Sequence, residues 1–166
     1  MDASVSFGEG EACGKVGEKQ PSSAYSPPEM VAVDEVTGEV FVRSAANIST
    51  RTSARSLELL DASPSWDMWS LGAVLFELCT GEPLLLSNDE DNTDLDGLLT
   101  LHAWSDEVKQ CKVDKIGDKN ARNLVSRLLN KDPAKRPSPS AVLDHPFLSG
   151  KAVTRLVGEV AAFDGE

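Results

Sequence analysis

Hydrophobic positions follow two different spacings along this chain, and the change falls near residue 63. The run Val31-Ala-Val33-Asp-Glu-Val36-Thr-Gly38-Glu-Val40-Phe-Val42 sets two β-rich stretches around a glycine-containing turn, which predicts a hairpin. From Ser63 onward the steps are three and four. Trp69, Ala73 and Phe76, with Leu75 and Cys79, predict a helix starting near Trp66 and stopping at Gly81. Ser63 or Ser65 can cap it, with Pro64 close to its first turn. Apolar residues occupy most of its faces, so it should be a central, buried helix. A second helix is predicted over 95–104 and a third over 119–130, where Leu124, Leu128 and Val125, Leu129 form a stripe. Lys131-Asp132-Pro133 ends the third, because a residue before proline avoids helical angles. A fourth, 138–143, stops before Pro146, and Val153, Leu156, Val157 and Val160 give an amphipathic terminal helix.

The remaining stretches are polar. Ser, Thr, Gly and Pro dominate 2–28, an extended loop with little regular structure, and 57–60 is one helical turn. Residues 44–56 hold little apolar surface and are expected to be mobile and protease-sensitive. There is no internal repeat, and the C-terminal two thirds is all-α.

Charge narrows the partners. The chain has 166 residues with 16 Lys and Arg against 27 Asp and Glu, a net charge of −11. The excess is shared, with five cations against ten acids in 1–63 and 11 against 17 in 64–166. Nucleic acid and anionic membrane surfaces are poor partners for such a field. No apolar run exceeds four residues, too short to cross a bilayer, and no basic stretch followed by an apolar one opens the chain. Cys13, Cys79 and Cys111 are odd in number and widely spaced, so neither a disulfide framework nor a CxxC metal site is expected. Cytosol or nucleus is the expected compartment.

Three stretches carry chemical meaning together. Asp67-Met-Trp69-Ser70-Leu-Gly72 with Phe76-Glu77-Leu78-Cys-Thr-Gly81-Glu-Pro83 resembles the large central helix of the protein-kinase C-terminal lobe. Leu128-Leu129-Asn-Lys131-Asp132-Pro133-Ala-Lys135-Arg136-Pro137, continuing to His145-Pro146-Phe147, resembles the last helices of that lobe. Tyr25-Ser26-Pro27-Pro28-Glu29 looks like a variant of the A-P-E motif that closes the activation segment. The three stand in the family's chain order, over about residues 20–148. The chain thus resembles the eukaryotic serine/threonine protein kinases, as a C-lobe fragment from the activation segment onward.

The resemblance implies a mainly α fold: an activation-segment-like loop (1–30), an insertion holding the hairpin and the polar stretch (31–63), the helical lobe (64–149) and a tail (150–166). It pairs Glu29 with Arg136, two residues 107 apart in sequence, as a buried ion pair. Asp67 corresponds to the carboxylate that accepts backbone hydrogen bonds from the catalytic loop, while also facing the positive end of its own helix. Trp69 and Gly72 belong to the same signature, with Trp69 as packing. Ser22 and Tyr25 fall beside the substrate peptide, although Pro21 and Pro27 replace the family's usual Gly and Ala.

Phosphoryl transfer works by positioning and electrostatics and needs a Gly-rich loop, a phosphate-binding Lys, a catalytic Asp and metal-binding groups. The chain has no H-R-D-L-x-x-x-N and no V-A-I-K, and His102 and His145 lie in other contexts, as packing or surface residues. Gly8-Glu-Gly10-Glu-Ala-Cys-Gly14-Lys15-Val16 imitates the ATP-covering loop but has one residue too many and lies too close to Tyr25. Asp2 stands either for the metal-binding Asp of the D-F-G region or at its Gly. Asn92-Thr-Asp94-Leu-Asp96-Gly97 imitates half a calcium loop, but its twelfth position is Ala103, and a solvated acidic loop is expected. The expectation is a partial serine/threonine kinase domain, inactive alone and binding no cofactor or metal. ATP and Mg2+ are implied for the complete domain, with a protein substrate or the parent's N-lobe as partner. The alternative is a pseudokinase-like protein-binding scaffold.

Overall fold

The computed structural model describes residues 23–43, 60–87 and 93–150. The readings made for Asp2, the 8–16 glycine run, Ser22, the 44–56 stretch, the turn at 57–60 apart from Leu60, and the helix around Val153–Val160 lie outside the described residues. Two short 3-10 turns, Ser23–Tyr25 and Pro28–Met30, lead into strand β1 (Val31–Val33), which pairs antiparallel with β2 (Val40–Val42). The register sets Val31 opposite Val42 and Val33 opposite Val40. The buried Asp34 carboxylate holds the turn by accepting from the Val36 and Thr37 N–H groups at 2.9 and 3.1 Å. Gly38, at φ +72°, supplies the left-handed residue. The loop predicted over 2–28 is therefore more regular than expected where it is described, because prolines pre-set the backbone angle of these tight turns.

Helix α1 (Pro64–Thr80) runs through the centre. Ser63 caps it, its Oγ accepting from the Ser65 N–H at 3.3 Å, with Pro64 as its first residue. Gly81 ends it in the left-handed conformation at φ +73°. Trp69, Gly72, Ala73 and Phe76 form its buried face. Helix α2 (Leu95–His102) is capped by Asp94 and packs against both strands. It stops two residues short of the predicted end: a turn, with the Trp104 N–H donating to the Leu101 carbonyl at 3.1 Å, swings Trp104 into the core.

Helix α3 (Asp106–Val113) was not expected. Its sequence, DEVKQCKV, offers two valines where a stripe would need more, and the stem of Lys109 completes the buried side. Helix α4 (Lys119–Leu128) carries the Leu124, Val125, Leu128 stripe and crosses α1 closely. A Cβ on Gly72 would sit 2.9 Å from Leu128 Cβ and 2.9 Å from Leu129 Cδ2, so glycine is what allows this approach. A 3-10 turn (Pro133–Lys135), α5 (Pro139–Leu143) and a short α6 (Pro146–Ser149), which the sequence reading had left as a stop at Pro146, complete the described residues. The architecture is a helical lobe with a small two-stranded sheet at one side.

Among the described residues, two buried clusters stand out. One gathers Trp69, Phe76, Trp104, Ile116 and Leu129 with the strand valines. The other joins Leu124, Leu128 and Val142 beneath Met68 and Leu71 of α1. Trp69 and Trp104 meet edge to face, with centroids 5.1 Å apart and planes at 75°. The Trp104 indole N–H donates to the Leu129 carbonyl at 3.1 Å, which fixes the end of α4.

Candidate functional site

The site is built around Arg136, whose side chain is fully buried. Its position follows from the end of α4. A helix leaves its last carbonyls without partners, and the Lys131-Asp132-Pro133 stop prevents further turns from using them. Arg136 lies six residues beyond Asn130 and returns to the carbonyls just past the helix end: its Nε donates to the Asn130 carbonyl at 2.9 Å and Nη2 to that of Lys131 at 3.3 Å. Nη1 also donates to the Ser65 carbonyl in the first turn of α1, at 3.0 Å.

The remaining donors go to Glu29. Nη1 meets Oε1 and Nη2 meets Oε2, both at 2.7 Å, a two-pronged contact between planar groups. The Glu29 side chain is 20% exposed. The guanidinium carbon lies 5.1 Å from the centroid of the Trp69 ring, which supplies a cation–π face. The Trp69 indole N–H has no acceptor among the described residues. One buried cation therefore joins the turn before β1, the start of α1 and the exit of α4.

A second tie holds the preceding turn, Ser23–Tyr25. The Ser70 Oγ donates to the Tyr25 carbonyl at 2.9 Å, with the Trp66 carbonyl at 3.1 Å as its other acceptor. Ser23 Oγ accepts from the Thr93 N–H at 2.7 Å, which brings the entry to α2 against it. The roles of the Ser65, Asn130 and Lys131 carbonyls and of the Ser70 hydroxyl go beyond those expected from the sequence. Free carbonyls just past the end of α4, within six residues of an arginine, are the signal that could have found Asn130 and Lys131.

The sequence-named residues divide accordingly. Glu29, Trp69 and Arg136 meet, Gly72 lies one turn along α1 at its crossing with α4, and Tyr25 is held by its backbone beside them. Asp67 is not drawn into this cluster. It is exposed in the first turn of α1, with no hydrogen-bond or ion-pair partner among the described residues. Ser22 is outside them. His145 is a packing residue: Nε2 lies 3.0 Å from Asn123 Oδ1, and Nδ1 accepts from the Phe147 N–H. His102 is exposed at the end of α2.

The remaining electrostatics are local. Burial, then the nearby Arg127, hold His145 below its ordinary value. Burial, then the neighbouring Lys115, lower Lys112, whose Nζ donates to the Leu84 carbonyl at 2.7 Å. Burial, then Asp118, raise the Cys79 thiol, which is the opposite of what an activated nucleophile needs. Among the described residues no three His, Cys, Asp or Glu side chains are grouped to hold a metal. The cluster can clamp backbone segments together, but it offers neither nucleophile nor proton shuttle.

A family model described as protein kinase domain matches residues 53–148. The chain belongs to the protein kinase family. A Saccharomyces cerevisiae protein that is provisionally named a serine/threonine-protein kinase is 42% identical over 83 residues, 49% of this chain and 8% of that protein. The SNF-related serine/threonine-protein kinase of Homo sapiens is 32% identical over 90 residues, 53% of this chain and 10% of the kinase. The calcium and calcium/calmodulin-dependent serine/threonine-protein kinase of Pisum sativum is 34% identical over 88 residues, 51% of this chain and 15% of its own. The chain thus spans less than a sixth of the length of these relatives. A solved structure of titin kinase and its flanking domains aligns at a TM-score of 0.47 and 18% identity, covering 84% of this chain and 20% of that one.

Proposed function

We propose that this chain is the lower, substrate-facing part of a serine/threonine protein kinase whose complete protein transfers phosphate from ATP with Mg2+ to protein hydroxyls. Alone it would bind no nucleotide and transfer nothing. The observation that carries the reading is the Glu29–Arg136 contact at 2.7 Å, across 107 residues of sequence, beneath Trp69. A motif that closes an activation segment is thereby fastened to the helices that follow it. Residues 1–30 are read as activation segment, 31–63 as an insertion, 64–149 as the lobe and 150–166 as a tail. Ser22 and Tyr25 would face the substrate peptide.

Support for a larger domain comes from the outward side of α1. Asp67, Val74 and Leu78 recur at helical spacing along it, and Val74 and Leu78 are 41% and 75% exposed. A helix apolar all round belongs in an interior. The upstream half of the domain would cover that side, with backbone donors reaching Asp67.

The test is phosphate transfer from labelled ATP and Mg2+ to casein. The full-length product containing this chain should label serine or threonine, and the 166-residue chain alone should label nothing and gain no melting temperature from Mg-ATP. A folded full-length product without transfer would overturn this reading in favour of a binding scaffold.

A further inference from the structure

Three lysines line α3 and the turn after it, and the fold treats the middle one differently. Lys109 Nζ pairs with Asp106 at 2.7 Å and Lys115 Nζ with Glu82 at 2.6 Å. Lys112, midway between them in sequence, has no carboxylate in ion-pair reach among the described residues, and its Nζ donates instead to the Leu84 carbonyl at 2.7 Å. That carbonyl belongs to the connection between α1 and α2, which is anchored in the core by Leu84 and Leu85, each 3% exposed. The acceptor is therefore fixed, and it holds a half-buried amine in one place.

An ammonium in such a position is disfavoured, because it exchanges water for a single neutral acceptor. Burial first, and the Lys115 charge second, favour the neutral amine, and Glu82 opposes them only in part. A neutral amine that donates one N–H to a carbonyl keeps its lone pair free on the side away from that bond. Desolvation and a neighbouring cation are the circumstances that make a lysine nucleophilic near neutral pH. Lys112 has both.

We propose that Lys112 is an acylation site that takes the acyl group of a small acyl thioester. The Nζ lone pair attacks the thioester carbonyl carbon, the C–S bond breaks, and the thiolate leaves with that electron pair. The proton released from the nitrogen passes through water to the thiolate. The new amide keeps one N–H for the Leu84 carbonyl, while the positive charge is lost. The site owes nothing to the Glu29–Arg136 contact and holds whether or not the complete protein transfers phosphate.

The test exposes the full 166-residue chain to acetyl-coenzyme A and follows each lysine by peptide mass spectrometry. Lys112 should be acetylated at least about fivefold faster than the exposed Lys119 and Lys131. Unfolding the chain in urea should abolish that preference. Lys115→Gln should slow the labelling of Lys112 about threefold, since it removes the like charge and frees Glu82 to face the amine. Glu82→Gln should speed it, and neither change should move the rate at Lys131. Circular dichroism checks that both variants keep the fold. The comparison of folded with unfolded wild type needs no variant, so it decides the matter if either one unfolds. Lys119 or Lys131 reacting as fast as Lys112, the same preference in urea, or an unmoved Lys112 rate in both folded variants would each overturn the proposal.

Discussion

Arg136 has five N–H donors in a planar fork, and the fold gives every arm of it a partner. A lysine could not do this, since its point charge cannot meet a carboxylate on two parallel bonds while capping three carbonyls. Burying such a cation is tolerable only when it is both paired and hydrogen-bonded. His145 illustrates the opposite solution, a buried ring kept neutral. Its Nδ1 accepts from the Phe147 N–H, so a proton there would have to displace that bond. Burial, then Arg127, lower its pKa, and the folded state therefore binds fewer protons than the unfolded state. The stability from this group is present above about pH 6.5, the ordinary histidine value, and is lost as pH falls below it. Urea melts of the wild type and His145→Gln at pH 7.5 and 5.5 should show the gap between them narrowing at the lower pH. A gap that widened would contradict the neutral ring.

At the level of elements, α1 and α4 were legible because each carries its own signals. Ser63, Pro64 and Gly81 bracket α1, and the Leu124–Leu129 stripe marks α4. The hairpin was legible from alternating valines around Gly38. Helix α3 was not, because a charged segment shows no apolar period. Its start was nevertheless encoded: Ser105 caps it and Asp106 and Glu107 fill its first turn. Helix α4 ends two residues before the predicted 130, with Leu129 leaving helical angles, and the Leu129 and Asn130 carbonyls beyond it serve Trp104 and Arg136. Of the site, Glu29, Trp69 and Arg136 were named from motif order, whereas the carbonyl of Ser65, 71 residues from Arg136, could be found only from coordinates. The cap at the head of α1 is local and should behave so. Ser63→Ala should cost about 1 kcal/mol in urea denaturation. A loss below a few tenths would mean that Ser65, whose Oγ lies 2.9 Å from Ser63 Oγ, takes over the cap.

For the whole molecule, one feature links the parts that sequence keeps farthest apart. The turn before β1 could otherwise move independently of α4 and the segments after it. Arg136 joins them, and Ser70 fastens the Tyr25 backbone to α1 beside it. The same lobe leaves two apolar surfaces open, one along α1 at Val74 and Leu78 and one on α2 at Leu95 and Leu99. The clasp sets the turn before β1 in place relative to the helices.

A double-mutant cycle tests that clasp most directly. Urea denaturation would compare the wild type, Glu29→Ala, Arg136→Ala and the double variant. Each single change strands a charge in a largely dry site and should cost about 3–5 kcal/mol. The double variant strands none, so its loss should fall well short of the two single losses combined. Additive losses, or single losses under about 1 kcal/mol, the range of exposed pairs, would contradict a shared, buried contact between these two side chains.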